Sequence, residues 1–276
     1  MQKILTILIL MVCSLQANNH KTIEASYDVS YGLFGKLGIA NTKVKIEDNN
    51  YSIKIIAKAT GLAKVLSNGK EEIYTSTGTI KNGTFIPQTF TKQTNSNSKK
   101  RTKIYTFNYK TNKVLMEKTT NRLITINDDP LAEYNSDSGL TNELETKWVK
   151  EQSKETLDYF ASNDLLSLFF NIKHFIPNFN QGDNFSLNAI GASKDKGKID
   201  IVIPSGEKYK DLENSLDIND SKKFIAYINQ RIFSSKRGEL FISLNDYGIC
   251  NKAVLKDVLL FGDIVGEMTD FTVKEI

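Results

Sequence analysis

The chain has 276 residues, of which 40% are hydrophobic and 25% charged, and its formal net charge is +4. This length allows one large or two modest domains and a core that needs no disulfide or metal to hold it. The 4 prolines and 16 glycines exclude a proline-rich or low-complexity linker.

The first 17 residues, "MQKILTILILMVCSLQA", have the layout of a secretory signal. Lys3 precedes an apolar run over residues 4–12, and small or polar residues follow as far as Ala17. We expect cleavage after Ala17 and therefore export. The apolar run is shorter than the roughly 20 residues of a transmembrane helix. The alternative is a lipoprotein with its lipid on Cys13, but the bulky Val12 before it favours ordinary cleavage.

Apolar and polar residues alternate from Ile23 onward. In "IEASYDVSY", "ANTKVKIED" and "YSIKIIAKA" the alternation has a period of two, the pattern of a strand with one buried face. Short turn signals such as Asn82-Gly83 separate these runs, and Asn-Gly favours a tight hairpin because both residues tolerate positive φ. Strands so close in sequence pair antiparallel, so residues 23–127 are predicted to form a meander of roughly eight strands.

Residues 145–176 are predicted to cross this sheet as helices. In "SNDLLSLFFNIKHFIP" apolar residues recur at helical spacing from Leu165 to Ile172, with cap residues before them and Pro177 as the stop. A second helix is predicted within "ELETKWVKEQSKETLDYFA".

The β pattern resumes after Gly182, and residues 184–275 are predicted to form a second meander. Apolar residues fall on both faces of "KAVLKDVLLF", which indicates a central strand. Residues 18–276 are therefore predicted to be a single β-rich domain. The fold class is mainly β, a curved antiparallel sheet or partly open barrel with one or two helices packed across it.

Several stretches carry a family resemblance through their order and spacing. They are "YDVSYGLFGKLG", "GTIKNGTFIPQTF", "DLLSLFFNI", "GDNFSL" and "GELFISLNDYGICNKAVLK". In these the chain resembles the bacterial domain of unknown function 3108 family, an exported, β-rich group. The resemblance implies a periplasmic, envelope-facing location and brings no established catalytic residue. The strand and helix order is also similar to that of the half-barrels of periplasmic lipoprotein carriers, which is an analogy of fold alone.

Titratable and nucleophilic residues form no recognisable catalytic motif. The two histidines are His20, beside the predicted cleavage site, and His174. We expect His174 to lie at a helix C-terminus, where the helix dipole favours a cation. We predict no metal site, because one histidine and the lone Cys250 are distant in sequence. Cys250 is predicted to be a small buried residue rather than a reactive thiol, and without a partner it cannot form an intramolecular disulfide.

Ser-x-x-Lys occurs four times, at Ser67/Lys70, Ser96/Lys99, Ser193/Lys196 and Ser205/Lys208. A serine activated by lysine must begin a buried helix, where the lysine loses its charge. All four pairs are predicted in turns or polar loops, so we expect no catalytic residue and no cofactor. Asp128-Asp129-Pro130 is interpreted as an acidic turn.

Charge is distributed unevenly along the chain. Residues 81–122 carry ten basic side chains and one acidic, whereas residues 128–164 carry ten acidic side chains and three lysines. One interpretation is that these segments offset each other or are solvated surfaces. The other is that the basic hairpin "SNSKKRTK", with Lys99, Lys100, Arg101 and Lys103, meets anionic lipid headgroups or an acidic partner.

Export argues against nucleic acid as a partner, and the nearby Tyr105, Phe107 and Tyr109 are interpreted as one packed face. The function predicted is a non-enzymatic periplasmic binding module for an apolar or lipid-like ligand or a protein partner. The alternatives are an envelope hydrolase, or an assembly factor that pairs with other proteins through its sheet edges.

Overall fold

The computed structural model describes residues 20–126, 145–192, 195–219, 222–227, 238–258 and 262–275. The predicted signal segment with Cys13, the acidic turn at residues 128–130 and Ser193 lie outside the described residues. Within the described residues, no helix is long and apolar enough to cross a membrane.

The first meander has seven strands within residues 20–126, where roughly eight were predicted. A short helix, α1 (Gly61–Leu66), lies between its third and fourth strands. The strands are β1 (His20–Tyr31), β2 (Lys36–Glu47), β3 (Asn50–Ala59), β4 (Glu71–Lys81), β5 (Thr84–Asn95), β6 (Lys99–Asn108) and β7 (Lys113–Ile126).

The predicted second helix over residues 143–161 is wrong. Glu145–Thr156 form a strand, β8, which pairs antiparallel with β7 from Leu115↔Thr156 to Ile126↔Glu145. Its two large apolar residues, Trp148 and Val149, are adjacent and cannot form a helical stripe. Ion pairs to β7 support the strand instead: Arg122 with Glu151, and Lys154 with Glu117 at 2.7 Å. These pairs also show that part of the acidic segment lies beside the basic one.

The predicted crossing helix is confirmed in two short pieces, α2 (Leu165–Phe170) and α3 (Ile172–Phe175). Leu168 and Ile172 are buried, as their spacing indicated. A further helix, α4 (Gly206–Leu216), was not predicted. Tyr209, Leu212 and Leu216 recur at helical spacing, and the last two are fully buried.

In the described part of residues 184–275, the second meander has six strands. They are β9 (Asn184–Asn188), β10 (Lys198–Val202), β11 (Lys222–Tyr227), β12 (Glu239–Leu244), β13 (Cys250–Val258) and β14 (Gly262–Glu275).

All fourteen strands belong to one antiparallel sheet that does not close into a barrel, so the predicted fold class is confirmed. From β1 the order runs outward through β2 to β8 on one side and through β14 back to β9 on the other. The first and last strands therefore pair in the interior of the sheet, and β8 and β9 are its two edges. The chain between these edges carries α2 and α3.

One side of the sheet, here called the core face, holds most of the buried apolar residues. Ile53, Phe90 and Val114 on this face pack with Leu166 of α2, and the core continues across β10 to β12 beneath Leu168 and Ile172. On the opposite side, the outer face, α4 packs over β11 to β13. The strand β13 is thus covered on both faces, as predicted.

Candidate functional site

A buried carboxylate begins the helix that crosses the core face. Asp164 Oδ1 accepts hydrogen bonds from the backbone N–H groups of Leu166 (2.7 Å) and Ser167 (2.9 Å), which makes Asp164 the cap of α2. Its Oδ2 accepts a 2.5 Å bond from the Ser76 hydroxyl on β4. Because that hydroxyl gives its hydrogen to Asp164, Tyr51 on β3 is the donor in the 3.0 Å contact with Ser76.

A second polar contact fixes the other end of α2. Asn171 accepts a bond from the Phe85 N–H and donates one to the Phe85 carbonyl, both at 2.8 Å. Its amide also donates to Asn163 Oδ1 at 2.7 Å. The side-chain amide therefore satisfies both backbone groups of Phe85, as a paired strand would. These bonds hold the helix at a fixed position over the sheet.

Burial changes the protonation of this network. Burial raises the pKa of Asp164 to about 6, against hydrogen bonds that lower it. Burial, with the nearby Asp164 charge, also raises the pKa of the Tyr51 hydroxyl. Both carboxylate oxygens of Asp164 accept hydrogen bonds, so the network anchors the crossing.

A cleft of about 190 Å³ opens between the crossing helices, strands β1 and β2, and the turn that joins β12 to β13. We call it the ligand cleft. Ile23, Val44, Phe85, Phe170 and Ile172 line it, and they belong to or pack against the buried core. The cleft is therefore an opening into the hydrophobic core, and core residues form its wall.

Cationic side chains stand around the ligand cleft. Lys21 pairs with Glu275 at 2.7 Å and lies 4.8 Å from the centre of the Tyr247 ring. Lys222 pairs with Asp246 at 2.7 Å. Lys173 of α3 forms no ion pair with a described residue, although its charge helps to lower the pKa of the nearby Asp246.

The structure does not bring the four predicted patch residues together on one surface. They all lie in β6, where side chains alternate between faces. Lys103 shares the core face with the buried Tyr105, and Lys99 and Arg101 have the same parity. Lys100 lies on the outer face, 5.7 Å from the centre of the Trp148 ring. The role assigned to these residues stays a prediction.

The predicted aromatic face of β6 is present. Tyr105 and Phe107 are buried, and Phe107 stacks on Tyr109 with ring centres 6.0 Å apart. His174 lies in the last turn of α3 as expected, with its exposed ring 3.2 Å from the Gly83 carbonyl oxygen. Cys250 is half-buried against the core, and burial raises the pKa of its thiol to about 12.

One Ser-x-x-Lys pair is not in a loop, contrary to the prediction. Ser205 precedes the first turn of α4, and Lys208 lies in that turn. Burial lowers the pKa of Lys208, but the Glu239 carboxylate at 2.9 Å more than offsets this effect, so the pKa is raised. Lys208 thus remains an ammonium ion and cannot deprotonate Ser205. The envelope hydrolase gains no support from this pair.

Helix α1 presents an apolar stripe to solvent, which the sequence interpretation missed. Leu62, Val65 and Leu66 occupy one helical face and are 66%, 75% and 79% exposed. Phe34, in the neighbouring turn after β1, is 52% exposed. The helical spacing of the apolar residues in "GLAKVL" could have predicted this stripe from the sequence. We call this surface the apolar tip.

No curated protein matches the chain. It is similar to the crystal structure of a β-barrel-like protein of the domain of unknown function DUF1849 from Brucella abortus, with 10% identity and a TM-score of 0.36 over 93% of this chain and 98% of that one. The model of the family described as protein of unknown function (DUF3108) matches residues 26–144. This match confirms the resemblance to that family over residues 26–144.

Proposed function

We propose that this chain is an exported, periplasmic, non-enzymatic binding module for an apolar or lipid-like ligand. The observation that carries the proposal is the ligand cleft, because its wall consists of core residues such as Ile23, Val44 and Phe170. An apolar group that enters the cleft replaces water against hydrocarbon, which is favourable by about 25 cal/mol per Å² of apolar surface buried. Lys173 would face an anionic end of such a ligand.

The size of the ligand cleft limits what it takes. Whole ligands need pockets of about 300–1,000 Å³. An apolar cavity of about 150 Å³ accommodates benzene. The 190 Å³ of the cleft therefore suits a short acyl segment or one bulky apolar side chain of a partner, with the rest of the ligand outside.

A cleft-filling substitution tests this proposal. Ile46 lines the cleft and is only half-buried, so Ile46→Trp should fill it without disrupting the core. Ile104→Trp is the matched control, because Ile104 is 37% exposed on the outer face of β6. Fluorescence titration with dansyl-undecanoic acid should show at least tenfold weaker binding for I46W, and wild-type affinity for I104W. Equal binding by all three proteins, or no binding by any, would count against a cleft ligand.

A second candidate function is docking to a bilayer, which the apolar tip favours. Exposed apolar patches on soluble proteins usually mark interaction sites. None of the α1 residues is buried, so the Leu62–Leu66 stripe contributes little to folding. Lys64 in the same helix forms no ion pair with a described residue, so its charge is available to anionic headgroups. A bilayer interface offers both an apolar layer and that charge.

Vesicle binding tests the apolar tip. The triple variant L62S/V65S/L66S should lose at least nine-tenths of its co-sedimentation with phosphatidylglycerol vesicles, because three side chains no longer insert. Leu123→Ser, which removes an exposed leucine elsewhere, should bind as wild type does. Unchanged sedimentation of the triple variant would exclude the tip as the docking element.

A further inference from the structure

Three lysines lie side by side across three neighbouring strands. Lys92 of β5 is directly opposite Lys103 of β6, and Lys103 is directly opposite Lys118 of β7. Adjacent strands are about 4.8 Å apart, so the first and last lysine of this group begin only about 10 Å from each other. All three have the parity of core residues on their strands and are half-buried. We call them the lysine row.

No described residue forms an ion pair with any lysine of the row. The charges of Glu72 and Glu155 act on Lys92 and Lys103 from a greater distance. Lys92 lies 5.1 Å from the centre of the Tyr74 ring, and the nearby Glu72 is engaged by Lys70 at 2.9 Å and by the Tyr74 hydroxyl at 2.7 Å.

Glu155 of β8 lies opposite Met116, and its charge raises the pKa of Lys103 against the effect of burial. Like charges directly opposite each other destabilise a sheet. A bound anion would remove this repulsion.

Two further observations point to a ligand. Thr120 follows Lys118 on the same face of β7, directly opposite Arg101, and is only 4% exposed. Its hydroxyl oxygen has no hydrogen-bond partner among the described residues. Burial also lowers the pKa of Lys103, and the neighbouring Lys118 and Arg101 charges add to that effect. An unpartnered buried hydroxyl beside four cationic groups is the donor set that an oxyanion requires.

We propose that Lys92, Lys103 and Lys118, with Arg101 and the Thr120 hydroxyl, form a binding site for a phosphate or phosphoester group. Three ammonium groups in a line give charge-assisted N–H donors to separate oxygens of one tetrahedral anion. The site shares no residue with the ligand cleft, so it does not depend on the function proposed above. The group it binds is either free phosphate or the headgroup of a phospholipid.

Isothermal titration with sodium phosphate at low salt tests the site. Lys103→Gln removes the central charge and should weaken binding at least tenfold. Lys100→Gln is the matched control on the same strand but on the outer face, and its affinity should stay within twofold of wild type. Thr120→Val keeps the shape and should weaken binding several-fold without loss of thermal stability. Equal affinities of K103Q and K100Q would overturn the proposal.

A second arm separates the two sources of phosphate. Sedimentation with phosphatidylglycerol vesicles should fall for K103Q and be competed by phosphate if a headgroup is the ligand. Phosphate binding with unaltered vesicle binding identifies free phosphate. If the wild type binds neither phosphate nor vesicles, the proposal is wrong.

Discussion

The Ser76 hydroxyl donates a 2.5 Å hydrogen bond to the carboxylate of Asp164, 88 positions later in the chain. This contact joins the fourth strand of the sheet to the residue that begins the crossing helix. It is made inside the core, where a charged carboxylate is costly unless its oxygens are satisfied. The stability of the fold is therefore linked to the protonation of Asp164.

We expect the protonation of Asp164 to change the free energy of unfolding. Burial raises the pKa of Asp164 from its ordinary 3.8 to about 6, so the folded state holds a proton that the unfolded state loses first. The free energy of unfolding should therefore fall between about pH 4 and pH 6 and level off above it, by roughly 3 kcal/mol from this group. Urea denaturation at a series of pH values measures the effect.

Asp164→Asn separates this effect from that of the other carboxylates. The amide oxygen can still accept from Leu166 and Ser167, and the side chain no longer titrates. The difference in stability between wild type and D164N should change with pH over this interval. A constant difference would contradict a raised pKa.

Removing the Asn171 amide should be more damaging than removing an exposed one. Asn171→Leu leaves the N–H and carbonyl of Phe85 without their 2.8 Å partners, at a cost of about 2–4 kcal/mol. Asn188→Leu is the control, because Asn188 is exposed and donates one bond to the Lys196 carbonyl; it should cost less than about 1 kcal/mol. Chemical denaturation measures both, and similar losses would show that Asn171 is not an anchor.

Two glycines in strands should respond oppositely to alanine. A Cβ at Gly78 would lie 2.0 Å from the Ile86 carbonyl oxygen, at the point where the register of β4 and β5 shifts opposite Pro87. Gly78→Ala should therefore cost about 2–4 kcal/mol, since backbone must move. Gly266→Ala meets nothing within 4 Å and should be neutral or stabilising. Thermal unfolding of both variants checks the prediction, and a harmless G78A would refute the close approach.

The thiol of Cys250 should be inert in the folded protein. Burial raises its pKa to about 12, so at pH 8 only about one thiol in ten thousand is the reactive thiolate. In a Cys13→Ser chain, Ellman's reagent should react slowly under native conditions and stoichiometrically in urea. Rapid labelling of the native protein would mean that the thiol is accessible and that the predicted structural role is wrong.

Local pattern was enough to predict most of the sheet. Alternation placed Ile23, Val44 and Ile53 on one buried face, and helical spacing placed Leu168 and Ile172 on the buried side of the crossing helices. The strand β8 was missed because an edge strand beside water needs no apolar alternation, and its charged residues resemble those of a surface helix.

The candidate sites were harder to predict because they depend on register. Lys92, Lys103 and Lys118 lie far apart in sequence, and only the hairpin pairing makes them neighbours. The same register splits Lys100 from Lys103, although they were predicted as one patch. The residues before Leu165 were recognised as helix caps, but the contact between Asp164 and Ser76 is non-local and leaves no trace in either segment.

The pairing of β1 with β14 has a consequence for how the molecule forms. Eleven aligned residue pairs join these two strands in the interior of the sheet. Until β14 has been delivered, β1 and β13 both present unsatisfied backbone groups, which can recruit strands from other molecules. Contacts so distant along the chain also form slowly. A nascent molecule should consequently need a holding chaperone until its last strand is available.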